Sequence, residues 1–442
     1  MKKRPSWKLI AAVQGVMVAG FGTAYLMATP DTRSLIHHEL PLVKTELFTP
    51  VPVDRKLPIQ ISRPYNRPDL VSDDDLAAVL KQIQPIFDRK EMKANFIEHA
   101  IRVWGVNATF QNPKAISGQE MLEFLTDAGK FTESWGRGVR PFLREQPRGV
   151  QVHWGHDTGA SFHHDHLLAS VTEANAPLDT PVYGPPRRND TLYNVLQESM
   201  RDFRLDEKET EWTAMAFGLW IPPQKEWIGS EGRRYSFDLL VDRLLRGDRQ
   251  TGVCAGTHRV YSLMLLIRLD DEYHILSKAA RDAAYKYLEG VRDAIMASQF
   301  EDGHWPSNWP DGKHAVDSPI DEPEYRKVIA TGHHLEWMSI APKELLVPDE
   351  QLKKAIDWIV ANTKSKSRSE INAAYTFYSH VGAALSNWRQ VHPAEFWKNW
   401  EAEHPFDPNT ELEEPSSNTP DNAPPVEETD SPSISETEKS PQ

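Results

Sequence analysis

Five histidines and two carboxylates fall within fourteen residues, at His153, His156, Asp157, His163, His164, Asp165 and His166. Imidazole and carboxylate together suit zinc or another borderline divalent cation, and three such ligands around one open position would activate a water. The candidate ligands are His153, His156, His163 and His166. A helix running from Ser161 would put His163 and His166 on one face. The spacing matches no established metalloenzyme pattern, so the competing reading is a polar loop whose imidazoles cap helices or bond one another. The function this stretch would serve is metal-dependent hydrolysis.

A second set of reactive side chains lies on apolar segments of helical period. Cys254, His258, Arg259 and Tyr261 open one such segment, His333, His334 and Glu336 lie on another, and Tyr375, Tyr378 and His380 on a third. Repeated His and Tyr at equivalent places is what a proton-transferring site requires, which makes His258, His333, His334, Tyr375 and His380 the candidate acid–base residues. A large polar-lined cavity would contain the same residues without doing chemistry. Arg259, Glu336 and Trp309 are candidate substrate contacts, Trp309 because a flat indole suits the face of a sugar ring. Cys254 and His258, four apart, offer a further zinc set with either His333 or His334.

The elements that must position these residues are helices. Apolar periodicity predicts segments at about 76–87, 94–104, 119–125, 191–203, 207–220, 236–245, 256–269, 276–298, 325–338, 349–362 and 369–388. Ser72 before Asp73, Asp74 and Asp75 reads as an N-cap with acids complementing the helix dipole. Alternating β-branched runs are nearly absent, so a sheet of any size is not expected. From residue 256 onward, apolar helices rich in small residues alternate with charged amphipathic ones, the order expected of inner and outer layers.

At the end of the charged helix stands Gln299-Phe300-Glu301-Asp302-Gly303-His304-Trp305. Its Gln, Gly and Trp have the spacing of the QW motif, and over about residues 250–390 the chain resembles the terpenoid-cyclase and protein-prenyltransferase superfamily. The resemblance implies an all-α fold, an α/α toroid of helical hairpins. In it Gln299, Gly303 and Trp305 would be structural, tying a helix end to the turn that follows. It does not imply cyclisation, because a cyclase of class II needs its Asp-rich acid motif inside the barrel and the one comparable run, Asp73–Asp75, lies outside the recognisable repeats.

The chain ends are of different composition. Lys2, Lys3, Arg4 and Lys8 precede an uncharged stretch from Leu9 to Ala28, twenty residues or about 30 Å as a helix, close to a bilayer core. The expected organisation is a basic head at 1–8, a transmembrane anchor or signal segment at 9–28, a Pro-rich linker at 29–70, a toroid-like domain at 71–400 and a disordered acidic tail at 401–442. Gly22-Thr23-Ala24 supplies the small residues of a signal-peptide cleavage site, so the alternatives are a membrane-anchored body outside the cytoplasm and a secreted or periplasmic one. The tail carries twelve acidic residues against Lys439, which is −11 of the −14 formal charge. A body of −3 without a basic stripe excludes nucleic acid as a partner. One cysteine excludes an internal disulfide.

Three functions follow. The first is an exported, membrane-tethered toroid enzyme using His/Tyr acid–base chemistry on a polysaccharide or other bulky substrate. The second is a noncatalytic envelope scaffold or binding protein, and the third is the metal-dependent hydrolase of the 153–166 stretch. Partners would be the membrane through residues 9–28 and a carbohydrate or envelope protein, and the one cofactor indicated is a divalent metal such as zinc.

Overall fold

The computed structural model describes residues 7–28, 33, 48–185, 189–207, 209–230, 232–246 and 254–408. It forms two compact units, one of Met1–Phe48 with Ser230–Gly232 and one of Thr49–Gly229 with Arg233–Gln442. Most of the acidic tail, residues 409–442, lies outside the described residues. The last helix, Pro393–Glu403, continues past residue 400.

In the first unit, residues Trp7–Met27 form one helix of 21 residues. Among the described residues, however, no helix is long and apolar enough to cross a membrane. Lys8, Gln14, Thr23 and the glycines at 15, 20 and 22 dilute its apolarity. The transmembrane span expected over residues 9–28 therefore does not hold, and the anchored location built on it is not supported.

The second unit is mostly helical, and its strands, among the described residues, are three antiparallel two-stranded pairs. Six of its helices are buried along most of their length. They are α1 (Ala94–Trp104), α2 (His166–Glu173), α3 (Glu211–Trp220), α4 (Thr257–Tyr273), α5 (Glu324–Met338) and α6 (Tyr375–Trp388). All of α3 is buried, as is α5 from Val328 to Met338, which is how a helix apolar on every side must sit. Each of the six packs on the next in chain order, and α6 packs back on α1.

Of the helices between them, Lys278–Ser298 and Asp349–Ser365 bury a stripe, whereas Leu192–Asp202 buries Leu196 to Arg201 without a break. Lys278–Ser298 buries Ala284, Leu288, Val291, Ile295 and Ser298, three to four residues apart, and lies against α4. Ser277 caps its start by accepting from Ala280 N. Asp349–Ser365 lies against α5, Gly118–Thr126 against α1 and Leu192–Asp202 against α2. Ser72 caps Asp73–Gln82 as its acid triplet predicts.

Two devices close this packing. Gln299 Nε2 donates to Gly303 O at 2.9 Å and to Gln351 O at 2.8 Å, joining its own turn to the neighbouring helix. Gly303 has φ +109°, and a Cβ there would fall 2.2 Å from Lys354 O, so only glycine fits. Trp305 is fully buried and donates Nε1–H to Ile295 O. The second device is the Pro-rich stretch 49–70, which belongs to the compact unit. Ile59 N donates to Leu219 O, Tyr65 Oη to Ala341 O and Arg67 N to Trp388 O. These carbonyls end or follow α3, α5 and α6, where a helix has no internal donors left.

Candidate functional site

His258 opens α4, His333 lies just past the middle of α5, and His380 is in the middle of α6. All three imidazoles are buried and meet. His333 and His380 have ring centroids 3.8 Å apart, His258 and His380 5.0 Å, and His258 and His333 4.8 Å. His333 Nδ1 stands 2.7 Å from Ile329 O, and a carbonyl only accepts, so this nitrogen carries the proton. Burial holds His333 down to about 3, and the neutral ring keeps a lone pair on Nε2. That atom faces His258 Nε2 at 3.1 Å. Burial, reinforced by His333 and Arg102, also holds His258 and His380 well below the usual range.

Beneath His380 lies a buried ionic group. Arg102, on α1, pairs with Glu173 and, at 2.8 Å, with Glu336. His380 Nδ1 is 2.7 Å from Glu336 Oε2 and 3.0 Å from Arg102 Nη1, while its Nε2 is buried with no hydrogen-bond partner. Burial and the nearby Glu173 outweigh Arg102 and push Glu336 up to about 7. Tyr261 donates to Glu173 at 2.6 Å. Arg102, Glu173, Tyr261 and Glu336 line a cavity of about 80 Å³ whose far wall is Ile59–Arg63 of the Pro-rich stretch. That volume holds a few waters.

The other predicted acid–base residues point elsewhere. His334 Nδ1 accepts from Trp337 Nε1, and its ring meets Trp305 and Trp309. Trp309 is fully buried there, so it has no face to offer a sugar. Tyr375 donates to Ile83 O and packs edge-on against Phe87. Arg259 is buried with its Nε 3.9 Å from Glu211.

The 153–166 histidines each meet a different partner. His153 Nε2 lies 2.9 Å from Asp157, His163 Nδ1 2.5 Å from Glu209, and His166 Nδ1 2.8 Å from Glu98. His156 is exposed against Phe162. The helix starts at His166, not Ser161, because Asp165 has a left-handed backbone at φ 57°. His164 lies between Asp165 and Glu207. Burial alone would lower it, but the two carboxylates outweigh burial and hold it well above the usual range.

Trp212 on α3 joins the two sets, 4.1 Å from His166 and 4.4 Å from His258 between ring centroids. His99 on α1 does the same between His166 and His380. Sequence reasoning missed Trp212, His99 and Arg102. The available signal was polar residues at 98, 99 and 102 within an otherwise apolar helix.

No protein-family model, no curated protein and no solved structure matches the chain.

Proposed function

We propose that the compact unit is an α/α-toroid enzyme whose centre is the His258–His333–His380 cluster, acting on a polysaccharide or other bulky substrate. The neighbour order of α1 to α6, with the striped helices Lys278–Ser298 and Asp349–Ser365 packed on α4 and α5, supports the toroid. The observation that carries the chemistry is His380: its Nε2 is buried without a partner while its Nδ1 contacts Glu336. A ring held that way can take a proton at Nε2 and release one from Nδ1 toward Glu336 and the hydrated cavity. A groove of about 210 Å³ lined by Arg140, Arg144 and His153, with half-exposed Trp154 next in sequence, supports a substrate with sugar faces and acidic groups. The basic head and apolar stretch, ending in Gly22-Thr23-Ala24, support export through a cleaved signal.

Turnover tests it: purified protein is offered a panel of neutral and acidic polysaccharides, with products read by mass spectrometry. His380→Gln should lower turnover about 10²–10⁴-fold, the usual contribution of a general acid or base, while Tyr375→Phe leaves it unchanged. A second reading, a noncatalytic envelope scaffold, is favoured by the filled centre, where each of the three histidines is at most 2% exposed. Wild-type protein that binds an envelope component but turns over no substrate would decide for the scaffold.

A further inference from the structure

We propose that Cys254, His258 and His333 bind one zinc-class divalent cation, leaving a fourth coordination position open beside His380. This deepens the reading of the same cluster as a catalytic centre. It rests on that reading only for the use of the fourth position, since cation binding stands by itself.

Sγ of Cys254 and one ring nitrogen each from His258 and His333 all lie within 4.8 Å of one another. The two Nε2 atoms are 3.1 Å apart. Two imidazoles bound to zinc at about 2.0–2.1 Å and near the tetrahedral angle stand roughly 3.3–3.4 Å apart. The rings are therefore already within a few tenths of an ångström of a shared cation. His333 is fixed in the required tautomer by its Nδ1–H bond to Ile329 O, the outer bond that metal-bound histidines usually make.

The backbone at the third ligand is unusual. Cys254, Ala255 and Gly256 all have positive φ, at 50°, 55° and 77°. Two consecutive non-glycine residues in the left-handed region cost free energy, and such strain collects at functional sites. Here it turns the chain so that the thiol comes over His258, one helical turn on. Thr257 holds the turn by donating its hydroxyl to Cys254 O at 2.7 Å.

Independently, His380 Nε2 is buried with no partner although its ring touches both His333 and His258. A water on the fourth position would give it one. The donor set is one thiolate and two imidazoles, which selects a zinc-class ion over magnesium or calcium, both of which take oxygen ligands. As the metal–sulfur bond forms, the thiol proton leaves to solvent, so one proton is released per cation bound. Three protein ligands plus water is the arrangement of a catalytic site rather than a closed structural one. The alternative is a dry hydrogen bond in which His258 Nε2–H donates to His333.

The test uses the full chain purified from zinc-supplemented cells, with metal content by mass spectrometry, and cobalt(II) titration of the stripped protein. The expected results are one zinc per chain and a thiolate-to-cobalt charge-transfer band. Cys254→Ser should lose the band. Cys254→Ser, His258→Gln and His333→Gln should each weaken cobalt binding by more than the roughly 10–100-fold lost with an outer partner. His334→Gln, beside a ligand but facing the tryptophans, should keep full stoichiometry, and circular dichroism confirms that each variant folds. Wild-type protein that takes up neither metal, or a charge-transfer band that survives in Cys254→Ser, overturns the site. His380→Gln should retain one zinc whether or not the protein turns over a substrate, so loss of the enzymatic reading and loss of the metal reading give different results.

Discussion

The two histidine groups lie on either side of Trp212 in the same buried interior, yet their partners differ in kind. In the stretch 153–166 the ring nitrogens of His153, His163, His164 and His166 each face a carboxylate. In the cluster of α4, α5 and α6 the imidazoles face one another, and of the three only His380 also meets a carboxylate, Glu336. A carboxylate answers one nitrogen of an imidazole, and the other can stay unpartnered, as His153 Nδ1 and His166 Nε2 do. A second neutral imidazole offers only one donor for two lone pairs, leaving unused coordinating capacity. Pairing with an acid does not by itself charge the ring. His164, with two carboxylates and some side-chain exposure, is held above its usual range. His166 and Glu98 are both fully buried, and burial dominates: His166 is lowered and Glu98 is pushed up to about 8, so both are neutral.

The largest expected effect comes from breaking the support beneath the facing set. Arg102→Met strands Glu173 and Glu336 in the interior and should cost about 3–5 kcal/mol in denaturant titration. Glu336, already raised to about 7 beside the guanidinium, rises further without it. Its stability contribution is present at acid pH and lost as pH rises, so the deficit against wild type should be smallest near pH 4. A deficit that does not change with pH would mean that Arg102 acts through packing.

A smaller effect is expected in the paired set. Asp165 accepts from Ser199 at 2.7 Å and Thr213 at 2.6 Å and lies 3.3 Å from His164. Asp165→Asn should cost about 1–3 kcal/mol, and the His164 imidazole, followed by NMR, should fall toward its ordinary range.

Smaller again is a change of pH profile. Both His164 and Glu98 have folded pKa values raised above the unfolded ones. Their contributions are complete below the unfolded values and are lost as pH rises through the folded ones, for Glu98 through about 8. Glu98→Gln keeps the shape without the acid, so its stability should decline less than wild type between about pH 5 and 8. Equal slopes would mean that Glu98 is ionised in the fold. The smallest effect is at the exposed member of the stretch, where His156→Ala should change stability by less than about 0.5 kcal/mol and leave metal content unchanged.

The helices carrying the facing set were readable because each is apolar on all sides and interrupted by a few histidines. The segment 94–104 was placed to the residue, and 276–298 to within two, since Ser277 proved to be the cap. The run 369–388 is two helices, because Ala374 leaves helical geometry between Arg368–Ala373 and α6. Which histidines would converge was only partly readable. Adjacent helical residues point about 100° apart, so His334 had to leave the cluster that His333 entered. Tyr375, five positions before His380, is rotated about 140° from it. Trp212, His99 and Arg102 were not readable, because each gains its meaning from neighbours on other helices. The acid partners of 153–166 were hidden for the same reason: Glu98 and Glu209 are 68 and 46 positions from the histidines they meet.

The Pro-rich stretch has a bearing on how the molecule is made. Arg63 donates to Val391 O across 328 positions, and Arg67 reaches Trp388. Residues 63 and 67 therefore wait until more than three hundred further positions are made before these contacts exist. Packing of α6 on α1 is a contact of large sequence separation, which is intrinsically slow to form. A chain truncated before α6 would keep Arg102, Glu173 and Glu336 but lack His380, so the interior ionic group should gain its imidazole only when α6 docks.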